Sequence, residues 1–381
     1  MKKNIGIVFG GVSVEHEVSI ITGLQIYENI DKEKYNVSLV YIAKDGEWYS
    51  GDNLKNVKLY EDWDVNKRKA KHFFPSFNKR DGKNALGKLD AVIIACHGNY
   101  GEDGKLQGFF ELLDIPYSSP GVIGSATGMD KIVMKKILSG MGLPILPYLW
   151  LTRDEWKNDK RGWINKVHYT LDYPVFIKPS NLGSSIGISM ANNEEELIKG
   201  VEIASNYDKR ILIEKGVENA NEVNCSVLKS GGEILISEME EPVRWEKFLS
   251  FADKYLNNSS KSGKQSMAAM TRKIPAEISE EIKSRIIDFS KKICRAVDVK
   301  GVARIDYLLN SDKTKVYVNE INTIPGSFSF YLWEPKGIDF SRLIDITIEE
   351  SIKENDDKKK NIYRYDSDIL KKIGGSKGAK R

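Results

Sequence analysis

Cysteine and histidine are scarce in this chain. Its 381 residues contain three cysteines and four histidines. Cys96, Cys225 and Cys294 lie far apart, are odd in number and show no CxxC spacing. This pattern argues against a disulfide framework and against a cysteine zinc site. We therefore expect a protein of the reducing cytoplasm.

Long hydrophobic runs are also absent. The N-terminal stretch MKKNIGIVFGG has only a short apolar segment before its paired glycines. A signal peptide needs roughly 7–15 apolar residues, and a membrane-spanning helix needs about 20. The sequence therefore predicts a protein that is not exported and that has no membrane partner.

The chain has little net charge, +4 at pH 7, and this excess lies at the C-terminus. Residues 356–381 contain nine lysines and arginines against four aspartates, and the rest of the chain is near neutral. A Gly/Lys-rich end such as KKIGGSKGAKR is typical of a solvated, flexible terminus. We predict no nucleic-acid partner.

What the chain does contain is enough apolar sequence, 41%, for more than one core. Single cores stop growing at about 250–300 residues, so two or three domains are expected. The segments NIGIVFGG and SVEHEVSIITGLQIYENI read as a strand, a glycine turn and a helix. LDAVIIACHG is a further buried strand. Ligands of such α/β units bind where the strands end.

The second half of the chain has a different pattern. ILIEKGV is expected to be a linking strand, and NEVNCSVLKSGGEILISEME a hairpin with a Gly-Gly turn. GVARIDYLL and KVYVNEIN form a last strand pair. Residues 244–272 are polar and have few periodic apolar positions, which favours a long functional loop.

The stretch YVNEINTIPG carries a carboxylate and an amide inside an apolar strand pattern. Strand alternation puts Glu320 and Asn322 on one face. The other face would then carry Tyr317, Asn319 and Ile321. A polar pair of this kind is either solvated surface or part of a hard-cation site.

The neighbouring strand ARIDYLL adds a third oxygen-bearing side chain. Asp306 can be aimed at the same point as Glu320 and Asn322, and three oxygen ligands suit magnesium shared with phosphate. Arg304, two residues earlier, shares the face of Asp306. It either offers a fixed cation to an oxyanion or forms a salt bridge with these carboxylates.

Three further motifs are ambiguous on their own. KPSNLGSSIG places Lys178 before a loop with Ser184 and Ser185, whose backbone N–H groups can approach phosphates, although such loops are commonly simple turns. In HGNYGEDG, His97 ends a strand, where a lone histidine is commonly structural. Glu15, at the first glycine turn, either binds a ligand ammonium or caps the next helix.

Taken in order, these motifs resemble the D-alanine:D-alanine ligase family of the ATP-grasp superfamily. FGGVSVEHEVS, HGNYGEDGKLQG, GMDKIVMK, KPSNLGSSIG, ARIDY and NEINTIPG follow the family's order. The resemblance implies an α/β and α+β protein, with an N-terminal pre-ATP-grasp α/β domain followed by a two-subdomain ATP-grasp fold. The implied boundaries are 1–122, 123–212 and 213–354, with a mobile loop at 244–272 and a basic tail at 355–381.

The same resemblance implies a role for each motif residue. The ATP-binding set is Lys131, Lys178, Ser185, Glu214, Lys215, Glu222 and Lys254. The metal ligands are Asp306, Glu320 and Asn322, for two Mg²⁺ ions that Mn²⁺ can replace. Substrate-binding residues are Glu15 for the ammonium of the first D-alanine, His97 near its carboxylate, and Tyr331. The catalytic set is Glu15, Ser184, Tyr255, Arg304 and the N–H of Gly326, with Arg304 and Gly326 stabilising an oxyanion.

The implied activity is the ATP-dependent joining of two D-alanines through an acyl phosphate, for peptidoglycan synthesis, by a homodimer. One segment departs from the family pattern. After NTIPG the chain reads SFSFYLWEP, and Tyr331 replaces a serine that helps to hold the second substrate. Two alternatives follow: a ligase with another acceptor (D-serine, D-lactate or a larger amino acid), or an ATP-binding regulatory protein without catalysis.

Overall fold

The computed structural model describes residues 2–76, 85–242, 272–367 and 369. Its strands form three sheets that follow one another along the chain. The predicted mobile loop, with Lys254 and Tyr255, lies outside the described residues except for Arg272. Residues 368 and 370–381 of the predicted tail also lie outside them. Within these ranges, every helix is too short or too polar to cross a bilayer.

The first sheet is built from β1 (Lys3–Gly10), β2 (Tyr35–Ile42), β3 (Trp48–Ser50), β4 (Lys71–Phe73) and β5 (Ala91–Ile94). The order is β4-β3-β2-β1-β5, and β1 runs parallel to both β2 and β5. The apolar runs of β1 and β5 are buried, as expected for parallel strands covered on both faces. The loops after β1 and β5, which carry Glu15 and His97, therefore lie at one edge of this sheet.

The second sheet is antiparallel and contains β6 (Tyr148–Thr152), β7 (Val175–Pro179), β8 (Ser189–Ala191) and β9 (Arg210–Lys215). Its order is β6-β9-β7-β8. The strand predicted for ILIEKGV is confirmed as β9, which is hydrogen-bonded on both sides within the second sheet, and its role as a link stays a prediction. The expected boundary after residue 212 also falls inside β9. The other expected domain boundaries stay predictions.

The third sheet contains β10 (Asn221–Ser230), β11 (Glu233–Pro242), β12 (Arg272–Lys273), β13 (Val302–Leu309) and β14 (Val316–Asn322). All its neighbours are antiparallel, in the order β12-β11-β10-β13-β14. The predicted hairpin is confirmed as β10 and β11, joined at Gly231 and Gly232, which both have positive φ. The predicted last strand pair is confirmed as β13 and β14.

A β-bulge in β14 changes which side chains share a face. Asp306 lies opposite Glu320, but the pairing then skips one residue, Asn319. An extra residue shifts the alternation by one, so Ile321 is buried in the core while Tyr317 is half-buried. The expectation that Tyr317, Asn319 and Ile321 share one face is therefore wrong.

The helices of the described residues cover these sheets. They are α1 (His16–Asn29), α2 (Lys58–Glu61), α3 (Trp63–Asn66), α4 (Lys105–Leu112), α5 (Val122–Met129), α6 (Lys131–Gly140), α7 (Arg153–Asn158), α8 (Lys160–Thr170), α9 (Glu194–Tyr207), α10 (Glu280–Ala296) and α11 (Phe340–Lys358). In α10 the buried residues Ile282, Ile286 and Ile293 recur at helical spacing, and Ser279 caps its first turn. Asp130 caps α6 by accepting from Ile132 N–H, so this helix begins at Lys131.

The turn after β14 lies where the first and third sheets meet. Ile324 and Phe328 belong to the same apolar core as β1, β5 and α11. The opposite face of the third sheet packs on α10 and on Met134 and Leu138 of α6. The loops after β1 and β5 are thus brought against the end of β14, which is where the predicted site residues lie.

Candidate active site

Asp306, Glu320 and Asn322 lie together on one face of the third sheet. Asp306 is directly opposite Glu320, and the Asn322 side chain donates to Asp306 Oδ2 at 2.9 Å. Among the described residues, no three histidine, cysteine or acidic side chains are arranged to hold a metal. The candidate set is therefore two carboxylates and an amide, whose oxygens fit the preferences of magnesium.

Arg304 forms a bidentate ion pair with Asp306. Its Nε and Nη2 donate to different oxygens of the carboxylate, each at 2.7 Å. Burial raises the pKa of Asp306 to about 6, although Arg304 opposes that rise. The ion pair with Asp306 does not exclude the other interpretation of Arg304, as a cation for an oxyanion. The guanidinium has five N–H donors, and this pair uses two of them.

Two predicted nucleotide lysines face this set. Lys131 Nζ lies 3.5 Å from Glu320 Oε2 and donates to the carbonyl of Leu182 at 2.7 Å. Lys178 Nζ pairs with Glu214 Oε2 at 2.8 Å. Both side chains are buried, and a buried ammonium requires such partners. The structure thus brings cations from α6 and β7 to the oxygen cluster of β13 and β14.

Lys135 is a buried cation that the sequence analysis missed. It is 2% exposed and forms an ion pair with Glu214 Oε1, so Glu214 is held between Lys135 and Lys178. The repulsion from Lys178 and, above all, burial lower the pKa of Lys135, although Glu214 opposes them. The available signal was spacing: Lys135 lies one helical turn after Lys131, hence on the same face of α6.

The Gly/Ser loop carries two non-glycine residues in the left-handed region. Ser184 and Ser185 have φ of 55° and 59°. Such conformations are uncommon outside glycine and cluster at functional sites. The Ser184 hydroxyl donates to Glu15 Oε1, which links this loop to the loop after β1.

Glu15 is buried between two glycines. A Cβ atom at Gly98 would lie 2.6 Å from Glu15 Oε2, and one at Gly183 would lie 2.7 Å from it. Glycine is therefore required at both positions for the carboxylate to sit there. Within the described residues, Glu15 precedes α1 without making a side-chain capping bond, so the capping alternative is wrong.

His97 is buried, and both of its ring nitrogens contact the chain. Nε2 lies 2.8 Å from Thr22 Oγ1, and Nδ1 lies 2.8 Å from the carbonyl of Ile324. Burial lowers the pKa of His97 to about 4, although the Ile324 carbonyl opposes the shift. The imidazole is therefore neutral near pH 7. Its predicted contact with a substrate carboxylate stays a prediction.

Glu102, in the same loop as His97, is a second residue that the sequence analysis missed. Its Oε2 accepts from Gly98 N–H at 2.8 Å, and its Oε1 accepts from Ile324 N–H at 2.9 Å. Burial, and then the charge of Glu15, raises the pKa of Glu102 to about 8. Its signal was only its presence within the quoted motif HGNYGEDG.

Gly326 begins an unusual turn. Residues Gly326–Leu332 form a short 3₁₀ segment, in which Ser327, Phe328 and Ser329 have φ of 48°, 55° and 49°. Left-handed residues normally occur singly, because each costs about 1–2 kcal/mol. The predicted oxyanion donor thus lies immediately before a strained, buried backbone segment.

Tyr331, at the end of this turn, reaches a buried acid. Its hydroxyl donates to Glu240 Oε1 at 2.8 Å, and the Arg272 guanidinium lies 4.3 Å from the centre of its ring. Arg272 Nη1 is also 3.4 Å from Glu240 Oε2. The sequence analysis did not single out Glu240 or Arg272, because they belong to other strands. Together these side chains form a wall next to Arg304, whose guanidinium interacts with the charge of Glu240.

The remaining predicted nucleotide residues lie on β9, β10 and the Gly/Ser loop. Lys215 Nζ donates to the carbonyl of Tyr173 at 3.0 Å. Glu222 is half-buried near the start of β10 and raises the pKa of Lys178, after Glu214 and Glu320. Ser185 lies beside Ser184. Their contacts with a nucleotide stay predictions.

Comparison with known proteins gives a consistent set of matches. Residues 4–120 match the family profile described as D-ala D-ala ligase N-terminus. Residues 137–349 match the profile described as D-ala D-ala ligase C-terminus. A D-alanine--D-alanine ligase from Thermosipho africanus is 36% identical over 373 residues, which cover 96% of this chain and 98% of the relative.

Solved structures agree with these matches. The D-alanine-D-alanine ligase from Coxiella burnetii has a TM-score of 0.78 and 27% identity, and the match covers 94% of this chain and 98% of that one. The VanG D-Ala:D-Ser ligase from Enterococcus faecalis has a TM-score of 0.76 and 28% identity, with 92% and 100% covered. The predicted fold class, an N-terminal α/β domain followed by an ATP-grasp fold, is confirmed.

Proposed function

The chain belongs to the D-alanine–D-alanine ligase family, and we propose that it joins two D-alanines, with ATP, through an acyl phosphate. The family membership and the ATP-dependent ligase class predicted from the sequence are confirmed. One observation carries the proposal for this chain. Arg304 is fixed on Asp306, next to Glu320 and Asn322, with the Lys131 ammonium facing them.

The nucleotide would lie between the second and third sheets. We propose that Lys131 and Lys178 bind its phosphates, that the backbone of Ser185 contributes N–H donors, and that Glu222 binds the ribose. Glu214 and Lys215 would lie beside adenine. Support comes from the two phosphate lysines, which are buried and paired with Glu320 and Glu214. Lys254, also proposed for ATP, lies outside the described residues.

The family implies a divalent metal, and the donor set fits one. We propose that Asp306, Glu320 and Asn322 hold magnesium, with manganese able to replace it and two ions bound. The metal would neutralise charge on the transferred phosphoryl group. The residues themselves supply the rest, because Arg304 keeps Asp306 oriented and ionised, with both oxygens directed by hydrogen bonds.

The amino-acid side is built around Glu15. We propose that its carboxylate receives the ammonium of the first D-alanine, with His97 nearby, and that Ser184 orients it. The carboxylate of the first D-alanine takes the γ-phosphoryl group and becomes an acyl phosphate. The amine of the second D-alanine then attacks the carbonyl carbon of this acyl phosphate. Arg304 and the Gly326 N–H stabilise the tetrahedral oxyanion before phosphate leaves. Tyr255, proposed to close over the site with its loop, lies outside the described residues.

Three finer points complete the proposal. The product would serve peptidoglycan synthesis in the cytoplasm, and the three cysteines, all buried free thiols, suit a reducing compartment. A homodimer is proposed on the family resemblance. For the acceptor, D-alanine is the first choice, and the alternatives are D-serine, D-lactate or a larger amino acid.

The test is phosphate release from ATP with magnesium and D-alanine, alone and with each acceptor, with products identified by mass. We expect phosphate and D-alanyl-D-alanine with D-alanine alone. Arg304→Ala should lower kcat by about 10²–10³-fold, the usual effect of losing one oxyanion donor, while ATP still binds. Lack of phosphate release from the wild type would refute the proposed reaction. Full turnover of the Arg304 variant would refute the proposed role of Arg304 in stabilising the oxyanion.

A further inference from the structure

The turn that carries Gly326 is held from the N-terminal region on both sides. Glu102 accepts the N–H of Ile324 at 2.9 Å, and His97 Nδ1 lies 2.8 Å from the carbonyl of the same residue. Beyond the glycine, Thr22 Oγ1 accepts the N–H of Ser327 at 3.2 Å. The backbone is therefore fixed two residues before Gly326 and one residue after it.

The proton positions in this network follow from its partners. The carbonyl of Ile324 only accepts, so His97 Nδ1 carries the proton. In the neutral imidazole Nε2 then accepts from the Thr22 hydroxyl, whose oxygen accepts from Ser327. One directed chain of hydrogen bonds thus starts and ends on the same turn. It crosses from α1 to the loop after β5 on the way.

Glu102 completes the hold with a second path. Both of its oxygens accept backbone N–H groups, one from Gly98 in its own loop and one from Ile324 in the turn. The carboxylate is buried, so these bonds are shielded from competing water. Glu102 therefore ties the loop after β5 directly to the end of β14.

The turn needs such a hold. Ser327, Phe328 and Ser329 are all left-handed, which costs about 1–2 kcal/mol for each residue. Strained backbone of this kind persists only where the surrounding contacts determine it. The Ser327 hydroxyl adds a further contact by donating to Gln25 of α1.

We infer that Glu102 and Thr22 are positioning residues for ligation, which fix the Gly326 N–H against Arg304 through Ile324 and Ser327. This inference rests on the proposed function, which gives that N–H the oxyanion. A misplacement of about 1 Å in a catalytic group can lower the rate about 10²-fold. The effect should fall on kcat, because Glu102 and Thr22 contact the turn rather than the nucleotide lysines.

The experiment compares Thr22→Val, which keeps the shape but removes the hydroxyl, with Thr22→Ser, which keeps the hydroxyl. We expect Thr22→Val to lower kcat about 10–100-fold with KM for ATP within about twofold, and Thr22→Ser to restore most of kcat. Above pH 8, where the Glu102 carboxylate is ionised and accepts at both oxygens, Glu102→Gln should behave like Thr22→Val, because the NH₂ group of glutamine would face a backbone N–H. The matched control is Thr347→Val, which removes a buried hydroxyl that donates to the carbonyl of Ile344 in its own helix, α11.

The outcomes distinguish a failure of the proposed function from a failure of the positioning role of Glu102 and Thr22. A wild type without D-alanine-dependent phosphate release refutes the proposed function itself. An active wild type with normal kcat in both Thr22→Val and Glu102→Gln overturns this inference alone. The inference is also overturned if Thr22→Ser is as slow as Thr22→Val, or if Thr347→Val lowers kcat equally. Thermal unfolding of every variant identifies a loss of activity that comes from a loss of fold.

Discussion

The two halves of the candidate site are held together by different forces. The nucleotide side is held by ion pairs: Lys135 and Lys178 both pair with Glu214, and Lys131 pairs with Glu320. On the amino-acid side, the turn with Gly326 is held by a neutral imidazole, hydroxyls and backbone amides. Glu102 is an acidic residue there, but burial raises its pKa to about 8, and its partners are backbone N–H groups.

This difference suits what each half has to do. Phosphates bring charge, and charge acts over several ångströms, so buried lysines can compensate it without a fixed angle. An oxyanion donor must be aimed within tenths of an ångström, and hydrogen bonds are directional. The first half should therefore respond to removal of a charge. The second half should respond to changes in hydrogen-bond geometry and to protonation.

The largest expected effect is on the nucleotide side, from Lys135→Met. The variant leaves buried Glu214 with only one of its two lysines, and breaking a buried ion pair costs about 3–5 kcal/mol. We expect a lower free energy of unfolding and a KM for ATP raised about tenfold, because Lys178 is then drawn to the carboxylate more strongly. The KM for D-alanine should not change. Denaturant titration and steady-state kinetics measure these quantities.

The neighbouring lysine provides the control for this prediction. Lys136 lies next to Lys135 in α6 but is exposed, with its ammonium 4.8 Å from the centre of the Trp150 ring. Lys136→Met should change stability by less than about 1 kcal/mol. If the two variants had equal effects, the burial of Lys135 and its ion pair with Glu214 would not be what stabilises the nucleotide side.

The same contrast explains what the sequence could predict. Asp306, Glu320 and Asn322 were predictable because strand alternation is a local rule, and the pairing of β13 with β14 places them as expected. The bulge at Asn319 was not, because nothing local marks the skipped residue. Lys135 was within reach of helical spacing, but a lysine pattern cannot show that Glu214 of another sheet lies beside it.

The hold on the Gly326 turn was beyond the sequence for a related reason. Glu102 and Ile324 are 222 residues apart, and Thr22 and Ser327 are 305 apart. Their contacts depend on how the first sheet packs against the end of β14, which no periodicity reveals. The motifs HGNYGEDG and NTIPG are both visible in the sequence, and the resemblance places them in one site. The hydrogen bonds between the two motifs could not be predicted.

The second prediction concerns protonation on the amino-acid side. Burial lowers the pKa of His97 from 6.5 to about 4. Between pH 6.5 and 4 His97 is protonated in the unfolded chain but not in the folded chain. The free energy of unfolding therefore falls as the pH falls through this range. The full shift corresponds to about 3 kcal/mol. We expect the thermal midpoint of the wild type to fall over this range more than that of His97→Gln.

An exposed histidine gives the comparison for this measurement. His168 lies on the solvent side of α8, and His168→Gln should keep the pH dependence of the wild type. Identical pH profiles for the wild type and His97→Gln would mean that His97 binds its proton at the same pH in the folded and the unfolded chain. Burial would then not keep the imidazole neutral below pH 6.5, and the bond to Thr22 would not keep the direction assigned above in that range.

The smallest expected effect is at Tyr331, where the two kinds of interaction meet. Its hydroxyl donates to Glu240, and Arg272 lies over its ring, so this wall combines a hydrogen bond with two opposite charges. Tyr331→Phe keeps the ring beneath Arg272 and removes one bond to a carboxylate that Arg272 still contacts. We expect the KM for the second D-alanine to rise about three- to tenfold, in line with one lost hydrogen bond, with KM for ATP unchanged.

Tyr331→Ser sharpens the same question, because it removes the ring as well as the bond to Glu240. If the ring shapes the acceptor side, this variant should change the ratio of kcat/KM for D-alanine and D-serine, whereas Tyr331→Phe should leave the ratio close to that of the wild type. Competition between the two acceptors, with products separated by mass, measures this ratio directly. An unchanged ratio in both variants would place acceptor choice elsewhere, and the wall would then serve to orient Arg304, whose guanidinium interacts with the charge of Glu240.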